Sequence, residues 1–236
     1  MPTRAARDSV LQRLALERLV THDYVDITAG HLEHAASLAQ GARFLIEGMT
    51  IDAPPGVYHP HADSTSLMFI RNILEMAGPV PRRVLDVGCG SGVVAMFLAK
   101  RFGAEALATD ISAAAVEITR RNALRNDVRV RARQSDLFDA VEERGFDLIV
   151  FNTPLVDMAP TTEWDGGALC DPGGGLLERF ARSLGEYLAP DGLALFSLCS
   201  NSAYERLDGV DLTLRTVGIE MAGNGFWRAI IGARRG

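Results

Sequence analysis

The chain has 236 residues, 47% of them hydrophobic and 23% charged, with three cysteines and a net charge of −6 at pH 7. That is apolar material for one sizeable domain, with cysteines too few and too scattered for a disulfide framework or a zinc knuckle. The acidic balance argues against nucleic acid as partner. Nothing approaches the roughly 18 apolar residues of a membrane span, and the first twenty residues lack the apolar core of a secretory signal, so no membrane partner and a cytoplasmic location are expected.

Val10, Leu11, Leu14, Ala15 and Leu19 recur at helical spacing and predict an amphipathic helix over about 6–20. Leu32, Ala35 and Ala39 predict a second over about 28–40. RFLIEGMTID (43–52) reads as a hairpin around Gly48, and APPGVYHP (53–60) as irregular chain because of its prolines. Asp63 or Ser64 should cap a helix running to about Met76.

From residue 82 strands alternate with helices: RRVLDV, SGVVAMFLAKRF, EALATD, SAAAVEITRRNALRN, VRVRAR, FDLIVFN, LLERFARSLGEYL and LALFSLC. Such alternation predicts an α/β fold with a mostly parallel sheet covered on both faces. LTLRTVGIEM and FWRAIIGA have no helix between them and should pair antiparallel. The division expected is an N-terminal helical appendage over 1–42, able to pair two copies in a homodimer, and an α/β domain over 43–236.

Val84-Leu85-Asp86-Val87-Gly88-Cys89-Gly90-Ser91-Gly92 is the most informative stretch. A buried strand turns through glycines straight into a helix, whose free N–H groups suit an anionic group. A dinucleotide turn would read G-x-G-x-x-G, and position 93 is Val93. An acid two residues before the first glycine suits a ligand ammonium and would repel a pyrophosphate. Asp110, some 20 residues beyond the turn, is placed to accept ribose hydroxyls. Asp136 follows the third strand of the series. The plain alternatives are a tight turn, a helix cap and a loop aspartate.

This pattern resembles the first motif of class I, Rossmann-like methyltransferases with a seven-stranded sheet, and S-adenosylmethionine is the cofactor that the resemblance implies. It puts Gly88, Gly90 and Gly92 under the methionine part, Asp86 near its amino group, Asp110 at the ribose, and Asp136 and Leu137 at the adenine, with Cys89 and Ile111 as further cofactor-binding residues. Tyr58 is a further lining residue.

Asn152-Thr153-Pro154-Leu155, closing the fourth strand, resembles the N/D-P-P-Y tetrapeptide of amino-methyltransferases, in which the asparagine oxygen and the next backbone carbonyl accept from a target NH2. Asn152, Thr153 and Pro154 are the catalytic candidates on that resemblance, and Asn152 also borders the cofactor. Gly56 through Ser64, and Asp165-Gly166-Gly167 through Gly175, narrow the likeness to the HemK-like glutamine methyltransferases of release factors. Two positions depart from the motif. Thr153 replaces the first proline, and Leu155 replaces the aromatic on which a planar amide or base would stack.

The expectation is therefore methyl transfer to a nitrogen of a small-molecule or protein amine or amide acceptor. A release-factor glutamine methyltransferase, a small-molecule O-methyltransferase and a non-catalytic binding module are the alternatives. An oxygen acceptor would need a base, for which His59 and His61 are the candidates. No metal is expected, because His31 with His34 and His59 with His61 lack a third ligand at useful spacing. Trp164 is a candidate wall of the loop 153–172. Arg120, Arg121, Arg125, Arg129, Arg131 and Arg133 read as a solvated face rather than a phosphate-binding patch.

Overall fold

The computed structural model describes residues 4–17, 19, 33, 36–162, 168–222 and 224–236. His31, His34, Trp164, Asp165, Gly166 and Gly167, with much of the expected second helix, lie outside the described residues.

A seven-stranded sheet carries the fold. Helix α1 (Arg4–Arg13) and the hairpin β1 (Ala42–Ile46) and β2 (Met49–Ala53) precede it, followed by α2 (Thr65–Glu75). Then come β3 (Arg83–Val87), α3 (Val93–Phe102), β4 (Glu105–Asp110), α4 (Ala113–Arg125), β5 (Val130–Gln134) and β6 (Phe146–Phe151). The chain ends with α5 (Gly175–Tyr187), β7 (Leu188–Cys199), β8 (Leu212–Met221) and β9 (Trp227–Arg235). Strand order is β5-β4-β3-β6-β7-β9-β8. β3 to β7 are parallel, and β9 runs antiparallel to β7 and β8 as the missing crossover helix requires.

Alternate strand residues face two cores. Leu85, Val87, Ile149, Phe151, Phe196 and Leu198 pack under α5, whereas Val84, Leu148, Val150, Leu193 and Leu195 pack under α2 and α3. Burial on both faces explains the unbroken apolar runs of the central strands. No helix among the described residues is long and apolar enough to cross a membrane.

The hairpin turns through Glu47 (φ 49°) and Gly48 (φ 68°), a two-residue loop with both central φ values positive. It is held by α4. The Asn122 carboxamide exchanges hydrogen bonds with the Asp52 backbone (2.8 and 3.0 Å), and Asn126 does the same with Thr50 (both 2.8 Å). Two asparagines four apart on one helix face thus stand in for a neighbouring strand. Asn122 also donates to Ser91 O at 2.9 Å, which ties the hairpin to the glycine turn.

The N-terminal helix packs on the domain that follows it. Val10, Leu11, Leu14 and Leu16 are buried in the same core as α5, β7 and β9. Arg13 donates to Leu207 O and Leu212 O, and Thr216 Oγ1 to Leu14 O at 2.7 Å. The buried residues of α1 thus pack against the sheet domain of their own chain.

Candidate active site

Parallel strands end at one edge of the sheet, and the cavity lies there, about 390 Å³ in volume. β3 delivers the glycine turn. Gly88, Gly90 and Gly92 have φ of 63°, 52° and 79°. At Gly92 the requirement is double, since a Cβ there would stand 2.7 Å from Thr119 Cγ2. Thr119, buried in α4, donates to Gly90 O at 3.0 Å and so holds the turn against the helix.

Asp86 is buried, and its Oδ2 accepts from the Ala95 N–H at 2.9 Å, capping the third amide of α3 from outside. Burial pushes its carboxyl up to about 7, with Asp110 adding to the rise. Burial likewise pushes the Cys89 thiol well above its usual range, so that residue is a lining group and not a thiolate.

Asp110 ends β4 with one oxygen on Gly90 N–H and the other on Ser112 N–H, both at 2.9 Å. Each oxygen keeps a further lone pair. Ile111 lines the cavity although 63% exposed, and Leu137 lines it with φ at 47°. Asp136 also lines it, with its Oδ2 3.0 Å from Arg179 Nη2 of α5.

Asn152 follows β6. Its Nδ2 donates to Ser66 Oγ (3.3 Å) and its Oδ1 accepts from Ser197 Oγ (3.2 Å). Pro154 and Tyr58 line the same cavity. Thr153 does not: it is buried, its N–H donating to Ser197 Oγ at 3.0 Å and its Oγ1 to Ser197 O at 2.6 Å. A hydroxyl docked on β7 thus stands where the N/D-P-P-Y tetrapeptide, which this stretch resembles, has its first proline. Leu155 is also outside the cavity, and its carbonyl is held by Ser202 Oγ.

Sequence reasoning missed Ser66, Ser197 and Arg179. A single serine inside the apolar run LALFSLC was the available signal for Ser197. Ser66 and Arg179 look like ordinary helix residues. Asp171 lines the cavity, but its carboxylate caps α5 through Leu176 and Leu177 N–H, both at 3.0 Å.

The histidines are elsewhere. His59 is buried beside Phe44, its ring centroid 5.6 Å away, and its Nε2 has no protein partner among the described residues. Burial lowers the pKa of both His59 and His61. Neither lines the cavity, and no histidine, lysine or arginine does so among the described residues. The described residues also contain no cluster fit to hold a metal.

The chemistry of the lining suits S-adenosylmethionine. A bare glycine turn beside a buried acid could hold an amino-acid end, Asp110 a diol, and Ile111 with Leu137 a planar ring.

A family model described as the methyltransferase small domain matches residues 48–168. A protein of Methanocaldococcus jannaschii assigned as a protein N5-glutamine methyltransferase is 31% identical over 159 residues, 63% of this chain and 75% of its own length. The release factor glutamine methyltransferase of Bordetella pertussis is 31% identical over 208 residues, 87% of this chain and 68% of its own. Among solved structures, the Thermus thermophilus 16S rRNA N2 G1207 methyltransferase, in complex with AdoMet and guanosine, aligns with TM-score 0.64 at 26% identity. That alignment covers 84% of this chain, which spans half of the solved one. A glycine turn preceded by one strand-end acid and followed by two, on this sheet order and with these relatives, assigns the chain to the methyltransferase small domain family of S-adenosylmethionine-dependent enzymes.

Proposed function

We propose that the enzyme methylates a nitrogen of a protein side chain or small molecule, held at Asn152. In this reading the glycine turn and Asp86 bind the methionine end of the cofactor, Asp110 the ribose, and Ile111, Leu137 and Asp136 the adenine. S-adenosylmethionine supplies a methyl carbon on a positively charged sulfur; the nitrogen lone pair forms the new N–C bond as the S–C electron pair returns to sulfur. Asn152 Oδ1 accepts from the target N–H, which aims the lone pair and counters the positive charge growing on nitrogen. The extra proton of the methylated nitrogen leaves to water, and no base is needed for that loss.

The observation that carries the reading is an asparagine carboxamide bordering a cavity in which the lining carboxylates are otherwise engaged, Asp86, Asp110 and Asp171 on backbone N–H groups and Asp136 on Arg179. A hydroxyl oxygen is a weak nucleophile until a base removes its proton, whereas a neutral nitrogen can attack first and lose its proton afterwards. The two curated relatives are both named for glutamine, one of them for its N5, which supports the same atom type.

A second reading is a nucleobase amino group, favoured by the solved relative's complex with guanosine. The arginine cluster gives it little support. Arg125 pairs with Asp52, Arg131 and Arg133 pair with Glu143, and Arg120 donates to Ala132 O. A transfer assay with labelled S-adenosylmethionine, offering glutamine-bearing peptides, small amines, guanosine and 16S rRNA, separates the two. Label on peptide or amine nitrogen is the expected result, and label confined to rRNA or guanosine overturns the assignment of acceptor.

A further inference from the structure

Resting on the nitrogen-acceptor reading, we propose that Ser66 and Ser197 are positioning residues that hold the Asn152 carboxamide in the orientation the methyl acceptor needs. The three side chains come from three separate places: Ser66 from the first turn of α2, Asn152 from just past the end of β6, and Ser197 from near the C-terminal end of β7. Ser197 is fully buried and Ser66 is 6% exposed. A buried serine in a stretch (193–199) otherwise built of Leu, Ala, Phe and Cys is costly unless its hydroxyl is bonded.

Proton accounting shows what Ser197 is bonded for. The Thr153 hydroxyl proton goes to Ser197 O at 2.6 Å, because a carbonyl can only accept. The Thr153 N–H goes to Ser197 Oγ at 3.0 Å. The Ser197 hydroxyl proton then has two acceptors in reach, Thr153 Oγ1 at 3.0 Å and Asn152 Oδ1 at 3.2 Å, and in the second arrangement it holds the carboxamide oxygen. On the other side Asn152 Nδ2 donates to Ser66 Oγ at 3.3 Å. An asparagine side chain otherwise turns about a broad, soft torsion. Here each end has its own partner, and Oδ1 retains a second lone pair for an acceptor N–H.

The network also accounts for Thr153. In place of a ring-stiffened turn, a threonine hydroxyl fastens the turn to β7 and orients the serine that orients the asparagine. Rigidity that the N/D-P-P-Y tetrapeptide obtains from proline is supplied here by hydrogen bonds, and it reaches the side chain as well as the backbone.

Two measurements on the full chain test this. The first needs no acceptor: solvent exchange of the Asn152 side-chain amide protons by NMR, the signals being assigned by their loss in Asn152→Asp. Ser66→Ala and Ser197→Ala should each speed that exchange about tenfold, the factor one such hydrogen bond is worth. The second is kinetic, with a glutamine-bearing peptide as acceptor. Each serine variant should lower kcat about tenfold while leaving the affinity for S-adenosylhomocysteine unchanged, and neither should add to the loss in an Asn152→Ala background. Ser197→Ala leaves the buried Thr153 N–H unmatched and could unfold the chain. Ser66→Ala, on a helix that tolerates alanine, then decides the matter. Unchanged amide exchange in a folded Ser66→Ala variant overturns the proposal. Serine variants with normal kcat beside an impaired Asn152→Ala overturn it as well, and leave the nitrogen reading intact. A normal Asn152→Ala overturns both.

Discussion

Asp86 Oδ2 receives the Ala95 N–H at 2.9 Å, so one carboxylate near the end of β3 caps the helix that follows the glycine turn. Buried with its carboxyl raised to about 7, this residue makes stability depend on pH. In the unfolded chain an aspartate titrates near 3.8, so the folded state keeps a proton that the unfolded state releases between about pH 4 and 7. The associated stability is full below the lower value and is lost as pH rises through the upper one. Asp86→Asn imitates the protonated form and removes the dependence. Melting curves of the free protein from pH 5 to 8 should show the variant gaining on the wild type as pH rises. Parallel curves would refute the assignment.

Gly92 and Thr119 form the tightest contact under the turn. Gly92→Ala forces an alanine to φ 79° and drives its Cβ to 2.7 Å from Thr119 Cγ2. The left-handed conformation and the overpacking together should cost roughly 2–4 kcal/mol in urea unfolding. Adding Thr119→Ser removes the methyl in the way while keeping the hydroxyl on Gly90 O, and should recover part of that loss. If Gly92→Ala alone unfolds like the wild type, the glycine is there for the ligand and not for the fold.

The N-terminal helix should matter for stability before anything else. A chain starting at Ala42 loses Val10, Leu11, Leu14 and Leu16 from the core and bares Leu207, Leu212 and Leu214 beneath them. Removing four buried apolar side chains should lower Tm by at least several degrees. Cofactor affinity, measured well below the new Tm, should stay within a few-fold, because α1 contributes nothing to the cavity lining. An unchanged Tm would make α1 an appendage only.

The strands, helices and glycine turn were legible because each depends on local signals. Apolar runs bounded by glycine gave β3, β4 and β6, Ser64 and Ser112 announced two helix starts, and an antiparallel end followed from the missing crossover. The depth of α1 was not legible. Its amphipathic spacing shows that one face is buried, but the partner, around Leu207 and Leu212, lies some 200 residues away in sequence. The site divides in the same manner. Asp86, Asp110 and Asn152 stand at strand ends, where sequence position fixes spatial position. Ser66 and Arg179 reach the site from helices whose docking angles depend on packing across the sheet, and no spacing rule reports that.

Asn152 should be the residue on which transfer most depends once the cofactor is bound. It borders the cavity, and its carboxamide is fixed between Ser66 and Ser197, so its oxygen is in place before any charge develops. The bond it offers strengthens as positive charge grows on the attacking nitrogen, so it acts on the rate more than on binding. Asn152→Ala should cut turnover roughly 100-fold, the scale for losing one preorganised polar group. The affinity for S-adenosylhomocysteine should change less than about threefold, since the glycine turn and Asp110 are untouched. Asn152→Asp should keep part of the activity. Its carboxylate still accepts from the target and from Ser197, while the Ser66 hydroxyl can turn to donate where it formerly accepted. Steady-state kinetics with the acceptor that the transfer assay identifies, alongside calorimetric titration of S-adenosylhomocysteine, measures both quantities. Turnover near the wild-type value in Asn152→Ala would remove the hydrogen-bonded nitrogen from the mechanism. The buried His59 could not take its place, because it lies outside the cavity lining.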